Sequence, residues 1–153
     1  MRSRTADWFT CKIRFEKTME DGMQKKVTET YVVNALSFTE AEARILDEIS
    51  GYISGEFEVV DISRAPFHEV FFTDDGADDK WYKSKLQFIT IDEVTAKEKK
   101  TNVTYLVQAG SLDAARKNID DVLGNTMIDY VIVGVNETTI MDVFEGQHPT
   151  TTE

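Results

Sequence analysis

The chain has 153 residues, 41% hydrophobic and 10% aromatic, a composition that can bury a core and excludes a disordered chain. No apolar run approaches the ~18 residues of a membrane-spanning helix, and no apolar signal segment stands at the start, so we expect a cytoplasmic protein. The formal net charge of −11 disfavours charge-driven binding to duplex DNA or to an anionic membrane, because both require an excess of Lys and Arg.

One sequence pattern occurs twice along the chain, at an offset of about 73 residues. Residues 8–15 match residues 81–88 in their aromatic, basic and apolar positions, and residues 31–35 match residues 105–109. The constant offset indicates a tandem duplication. The sequence therefore divides into repeat 1 (8–72), an acidic linker (73–80) and repeat 2 (81–145).

Each repeat opens with two predicted strands that form a hairpin. In repeat 1, apolar and polar residues alternate from Phe9 to Phe15, which is typical of a strand with one buried face. A second alternating segment ends at Ala35, and Gly22 lies in the loop between the two. Repeat 2 contains the same pair of strands, joined by a longer, charged loop without glycine.

A predicted helix follows each hairpin and precedes two further strands. Ser37 and Glu40 have the spacing of a capping box, in which two side chains bond the exposed backbone amides at the start of a helix. Apolar residues then recur at helical spacing in both copies. The predicted fold class is α+β: two tandem strand–strand–helix–strand–strand repeats that form one pseudo-twofold body with mainly antiparallel sheet.

Residues suited to catalysis or metal binding are few, with one cysteine and two histidines in the chain. Cys11 lies on an apolar strand face and has Ser84 as its counterpart, which indicates a buried structural thiol. His68 has Met141 as its counterpart, and His148 lies near the end of the chain. We predict no catalytic residue, no metal site and no organic cofactor.

The sheet surface that faces away from the helix is the candidate binding face. It carries aromatic and basic residues at related positions of both repeats, namely Trp8, Lys12, Arg14, Trp81, Lys83 and Lys85. In one interpretation the tryptophans close the interface between the repeats, because units of this size need mutual burial. In the other, they stack on or anchor a partner beside the basic side chains.

These features predict non-catalytic binding, with a protein as the first choice of partner. Single-stranded nucleic acid on the tryptophan and basic face is the alternative, although the acidic net charge disfavours it. A small ligand bound between the repeats is a second alternative.

Three segments of the chain, 8–9, 31–42 and 67–71, together resemble an uncharacterised domain family of Bacteroides-type gut bacteria and their phages. The resemblance extends over most of the chain and implies no assigned activity or site residue. It implies a phage or mobile-element origin. Small acidic phage proteins often act by binding a host protein, so the resemblance favours a protein partner by analogy.

Overall fold

The computed structural model describes residues 1–146, which form nine strands, two helices and the turns between them. The first part of the chain contains β1 (Arg2–Arg4), β2 (Trp8–Thr18), β3 (Gln24–Asn34), α1 (Phe38–Ile49), β4 (Phe57–Arg64) and β5 (Glu69–Phe72). The second part contains β6 (Lys80–Ile91), β7 (Glu98–Ala109), α2 (Leu112–Leu123), β8 (Asp129–Glu137) and β9 (Ile140–Phe144). His148 lies outside the described residues.

The predicted α+β class and the order of elements in each repeat are confirmed. One strand was not predicted. β1 contains Arg2, Ser3 and Arg4 and has no apolar residue, so no hydrophobic alternation marks it as a strand. It forms because its backbone pairs antiparallel with β5.

The chain divides into two compact units whose limits differ from those of the sequence repeats. The five-stranded unit contains Met1–Thr5 and Pro66–Thr138, and the four-stranded unit contains Ala6–Ala65 and the described residues from Thr139 onward. The last strand of each repeat therefore lies in the unit built around the other repeat. We call β5 and β9 the exchanged strands; the pseudo-twofold relation between the repeats stays a prediction.

The two sheets have the same internal topology. The four-stranded sheet has the order β4-β2-β3-β9, and the five-stranded sheet has the order β8-β6-β7-β5-β1. In each sheet the exchanged strand is parallel to its neighbour, whereas the other pairs are antiparallel. A register shift occurs between Lys12 and Ile13 in one sheet and between Lys85 and Leu86 in the other, so the repeats match down to an irregularity in the ladder.

Each sheet buries one face against its own helix. Phe9, Cys11 and Ile13 of β2 lie in the core with Ala41 and Ile45 of α1, and all five side chains are inaccessible to solvent. The buried position of the Cys11 thiol confirms the prediction and raises its pKa to about 12, through desolvation and then the nearby Asp61 carboxylate. The thiol therefore stays protonated and unreactive at neutral pH.

Matching serine caps begin the two helices. The Ser37 hydroxyl accepts a hydrogen bond from Glu40 N–H, and the Ser111 hydroxyl accepts one from Ala114 N–H, both at 3.1 Å. The Glu40 carboxylate accepts from Leu36 N–H at 3.4 Å, one residue earlier than a capping box requires. The caps fix each helix start directly after the second strand of its hairpin.

Short connections explain why the last strands are exchanged. β3 and β4 are both antiparallel to β2, so they run in the same direction. β9 is parallel to β3, and a strand that took its place would therefore run parallel to β4. A connection between parallel strands of one sheet needs about a dozen residues or more. Only residues 65–68 join β4 to β5, and only residues 138–139 join β8 to β9. Neither strand can therefore reach the parallel position beside the second strand of its own repeat.

Candidate functional site

The two tryptophans of the predicted binding face are buried. Trp8 is 2% and Trp81 is 3% exposed, so neither ring is available for a base or a peptide side chain in this conformation. Trp81 packs edge-to-face on Phe72 of β5, with ring centroids 5.6 Å apart. The backbone carbonyls of both tryptophans also accept hydrogen bonds. Ala65 N–H donates to the Trp8 carbonyl and Thr138 N–H donates to the Trp81 carbonyl, each at 2.9 Å.

The basic residues of the same predicted face lie nearer to solvent. Lys12, Arg14 and Lys85 are exposed, and Lys83 is partly exposed. Arg14 forms an exposed ion pair with Glu58 of β4 at 3.4 Å, which offsets its charge locally. The basic side chains of this face are thus accessible to solvent and the tryptophan rings are not, and the binding role of the six residues stays a prediction.

The exchanged strand β9 docks on β3 through aromatic contacts. The Phe144 ring stacks on Tyr31, with centroids 5.5 Å apart, and on Tyr52, with centroids 5.9 Å apart. Asp142 is the register partner of Tyr31. The Tyr31 hydroxyl donates a hydrogen bond to Glu29 at 2.9 Å.

The exchanged strand β5 docks on β7 in the same way. Glu69 is the register partner of Tyr105, and the Phe71 ring lies 4.9 Å from the Tyr105 ring. A carboxylate thus faces a tyrosine, and a phenylalanine contacts that tyrosine, in both units. His68 precedes β5, and its Nδ1 accepts a hydrogen bond from Thr104 N–H of β7 at 3.1 Å.

Side-chain amides at the ends of β3 and β7 hold the chain that follows each exchanged strand. Asn34 is fully buried, and its Oδ1 accepts from Gly146 N–H at 2.7 Å and from Arg44 Nη1 at 3.1 Å. Arg44 Nη1 also donates to the Asn34 carbonyl. In the other unit Gln108 Oε1 accepts from Thr73 N–H at 3.0 Å, and Asn118 Nδ2 donates to the Gln108 carbonyl at 3.1 Å.

The ionisable groups around the exchanged strands have shifted pKa values. Desolvation raises the pKa of Tyr31, and the hydrogen bond to Glu29 raises it further. Desolvation likewise raises the pKa of Asp142, against the opposing effect of a hydrogen bond that its carboxylate accepts from Val143 N–H at 2.8 Å. Tyr105 is raised to a pKa of about 12 by desolvation and then by Glu69. Because the tyrosine–carboxylate pairing recurs in both units, we interpret it as part of strand docking.

The outer sides of the two exchanged strands differ. We call the side of residues 69–72 that faces away from β7 the β5 edge, and the side of residues 142–145 that faces away from β3 the β9 edge. β1 covers the β5 edge, pairing Arg2, Ser3 and Arg4 with Phe72, Phe71 and Val70. The β9 edge has no strand beside it within residues 1–146.

Sequence reasoning missed the β9 edge as a candidate site. Its residues were predicted as the short last strand of repeat 2. The residue pattern of a strand does not predict which strand will lie beside it. The two short connections, residues 65–68 and 138–139, could have indicated the exchange. They are too short to join two parallel strands of one sheet. The unpredicted strand β1 then makes the two edges unequal.

Within the described part of the chain, no group of three or more His, Cys, Asp or Glu side chains is placed to hold a metal ion. No helix among residues 1–146 is long and apolar enough to cross a membrane.

A protein-family model, described as a domain of unknown function (DUF4494), matches residues 7–146. The chain therefore belongs to this family. Comparison with curated proteins found no match, and comparison with solved structures found none either.

Proposed function

We propose that this member of the DUF4494 family is a non-catalytic protein-binding module that accepts an extended peptide segment at the β9 edge. The observation that carries the proposal is the difference between the two exchanged strands. β1 pairs with the β5 edge, and no strand of residues 1–146 pairs with the β9 edge. The β5 edge is thus an internal precedent for strand addition at the equivalent position.

The physical basis of the proposal is the hydrogen-bonding capacity of an edge strand. Backbone N–H and C=O groups on the outer side of an edge strand are a template for another strand. An added strand gains its affinity from main-chain hydrogen bonds and its specificity from alternate side chains. β9 offers a rigid template, because Phe144 is held by two stacked tyrosines and Gly146 by the buried Asn34 amide.

The acidity of the chain and the buried tryptophans support a protein partner over single-stranded nucleic acid. A stacking platform needs exposed rings, and the rings of Trp8 and Trp81 are almost fully buried. The net charge of −11 also opposes a polyanion. Single-stranded nucleic acid and a small ligand stay the second and third choices of partner.

A cytoplasmic location and an origin in Bacteroides-type bacteria or their phages are further parts of the proposal. Together they make a host protein with an exposed extended segment the natural partner. Small modules that add a partner's strand to their own sheet need no catalytic residue.

The test is to select binding peptides from a random display library and to map each complex by amide hydrogen exchange. We expect binding to protect amides of residues 142–145 in the full chain. Deleting residues 1–5 supplies the matched control, because it should open the β5 edge and add protection at residues 69–72. Selected peptides that protect neither strand would overturn the proposal.

A further inference from the structure

We infer that an acidic extended segment of a partner protein pairs with the β8 edge and that one of its carboxylates reaches Lys85 across Gly134. We call the side of residues 129–137 that faces away from β6 the β8 edge, and no strand of residues 1–146 lies beside it. This site lies in the five-stranded unit and does not depend on the proposed function of the β9 edge. The observation that carries the inference is a difference in charge between β8 and its counterpart β4.

In the four-stranded sheet, acidic residues of β4 face basic residues of β2. Asp61 is the register partner of Lys12, and Glu58 is the register partner of Arg14. Arg14 and Glu58 form an ion pair at 3.4 Å. Opposite charges on directly facing strand residues stabilise the pairing of two strands. The chain therefore supplies its own carboxylates beside Lys12 and Arg14.

β8 has no acidic residue at the two corresponding positions. Gly134 is the register partner of Lys85, and Val131 is the register partner of Gln87, on either side of the same register shift. On the other side of β6, Lys85 faces Thr104 of β7. Lys85 is exposed, and within residues 1–146 no carboxylate lies at ion-pairing distance from its ammonium group. The second sheet thus keeps the lysine and lacks its acidic partner.

Gly134 leaves an open path to Lys85 from outside the sheet. No atom of a non-neighbouring residue lies within 4 Å of the position that a Cβ on Gly134 would take. Adjacent strands are about 4.8 Å apart, so a strand added at the β8 edge would lie about 10 Å from β6. Extended lysine and glutamate side chains together span this distance, and glycine places no side chain between them. A carboxylate of an added strand can therefore pair with Lys85.

The β8 edge also lacks the charged side chains that discourage pairing with another chain. Residues 130–136 are uncharged, and Val131 and Val133 are 46% and 59% exposed. Charged side chains on an edge strand are a common device against strand addition. β4 carries them as Glu58 and Asp61. The β8 edge therefore favours a strand that places apolar residues beside its carboxylate.

The acidic net charge of the chain opposes a short acidic segment much less than it opposes a nucleic acid. Charges more than about 8 Å apart in solvent are largely screened at physiological salt, so the groups close to Lys85 decide the local interaction. The acidic residues of β8 are Asp129 and Glu137 at its two ends, and Glu137 already pairs with Lys80 at 3.9 Å. Lys83, two residues before Lys85 on β6, is partly exposed and adds a second positive charge.

The first test uses a short synthetic peptide in which valine and threonine alternate and the central valine is replaced by glutamate. It is titrated into the full chain and followed by amide NMR shifts, which we expect at residues 129–137. The same peptide with glutamine at the centre should bind about 2–5-fold more weakly, the range expected for one partly exposed ion pair. Equal binding of the two peptides would overturn the inference.

A charge-reversal cycle identifies Lys85 as the partner of the carboxylate. Lys85→Glu should weaken the binding of the glutamate peptide and strengthen the binding of a peptide with lysine at the centre. Lys12→Glu is the matched control, because Lys12 occupies the same position in the other sheet and faces Asp61. The control should keep the preference for glutamate. An unchanged preference for glutamate in Lys85→Glu would contradict the inference.

A second variant restores the acidic residue that β4 has at this position. Gly134→Asp gives Lys85 a carboxylate within the chain, so the preference for the glutamate peptide over the glutamine peptide should fall toward equality. The backbone accepts the substitution, because Gly134 does not have a positive φ. Gly134→Asn adds a side chain of the same size without charge and should keep the preference. A preference that persists in full in Gly134→Asp would overturn the inference.

The inference and the proposed function fail in distinguishable ways. If peptides protect amides of residues 142–145 and leave residues 129–137 unprotected, the proposed function stands and the inference is wrong. If the glutamate peptide protects residues 129–137 and no library peptide protects residues 142–145, the inference stands and the proposed function is wrong. A concentration-dependent dimer that protects residues 129–137 without added peptide would identify a second copy as the occupant and would overturn the acidic partner.

Discussion

Two side-chain amides hold the chain directly after the exchanged strands. Asn34 holds Gly146 after β9, and Gln108 holds Thr73 after β5, although the two residues differ in length. Arg44 and Asn118 occupy equivalent helix positions and both donate to the carbonyl of the adjacent amide residue. The same task is thus performed by different side chains, which a comparison of residue identities alone would not reveal.

Replacing Asn34 with alanine should lower the free energy of unfolding by about 1–3 kcal/mol, because buried donors lose their acceptor. Urea denaturation measures the loss. Amide exchange should quicken at residues 140–146 and stay unchanged at residues 69–73. The matched variant Gln108→Ala should show the reverse pattern. Equal quickening of exchange in both units after Asn34→Ala would contradict a local role.

The Asp142 carboxyl makes stability depend on pH. Its pKa is raised by desolvation, so the folded state binds this proton more tightly than the unfolded state does. The contribution of Asp142 to the free energy of unfolding is therefore greatest below the unfolded pKa near 3.8, and it falls as pH rises through the folded pKa. Asp142→Asn removes this dependence and keeps an oxygen that can accept from Val143 N–H.

We expect Asp142→Asn to raise the melting temperature at pH 7 and to lose this advantage as the pH falls toward 4. Thermal unfolding followed by circular dichroism at several pH values measures the difference. Asp61→Asn is a suitable comparison, because Asp61 lies on β4 in the same unit, away from the exchanged strand. A melting temperature that is lower than wild type at pH 7 would contradict the prediction.

The three residues of β1 change which backbone groups of a sheet edge are open to pairing. Its sequence has no strand pattern, and its pairing comes from the backbone template that β5 presents. The four-stranded sheet ends at β9 without such a cover in the described part of the chain. Sheets of the same topology thus present different edges to solvent.

Deletion of residues 1–5 should reduce the stability of the five-stranded unit by about 1–3 kcal/mol, because the backbone pairing of β1 with β5 and the contact of Arg2 with Phe72 are lost. Amide exchange should quicken at residues 69–72. The peptide of residues 1–7 added in trans should restore protection there. Unchanged exchange at residues 69–72 would show that β1 contributes nothing to the edge.

At the scale of the whole molecule, connection length dictates the exchange of strands. Four residues join β4 to β5, which is too few for a return to the parallel position beside β3. The position beside β3 is filled by β9 from the second half of the chain, and the register of β9 on β3 matches that of β5 on β7. A single repeat contains no strand that can fill this position in its own sheet.

Repeat 1 expressed alone as residues 8–72 should therefore form a dimer in which each copy gives its β5 to the other. Light scattering after size exclusion measures the mass, and circular dichroism confirms folding. Inserting about twelve flexible residues between Arg64 and Glu69 should allow β5 to return and give a monomer. A folded monomer with the native connection would contradict the explanation.

The two hairpins, the two capped helices and the buried position of Cys11 are predictable from the amino-acid sequence, because each depends on a local period or spacing. Three features became visible only in the folded chain: the sheets that receive β5 and β9, the burial of Trp8 and Trp81, and the cover of one edge by β1. Hydrophobic periodicity specifies which face of a strand is buried, and it does not specify the neighbouring strand. The choice of neighbour depends on connection length and on backbone edges that exist only after the sheets have formed.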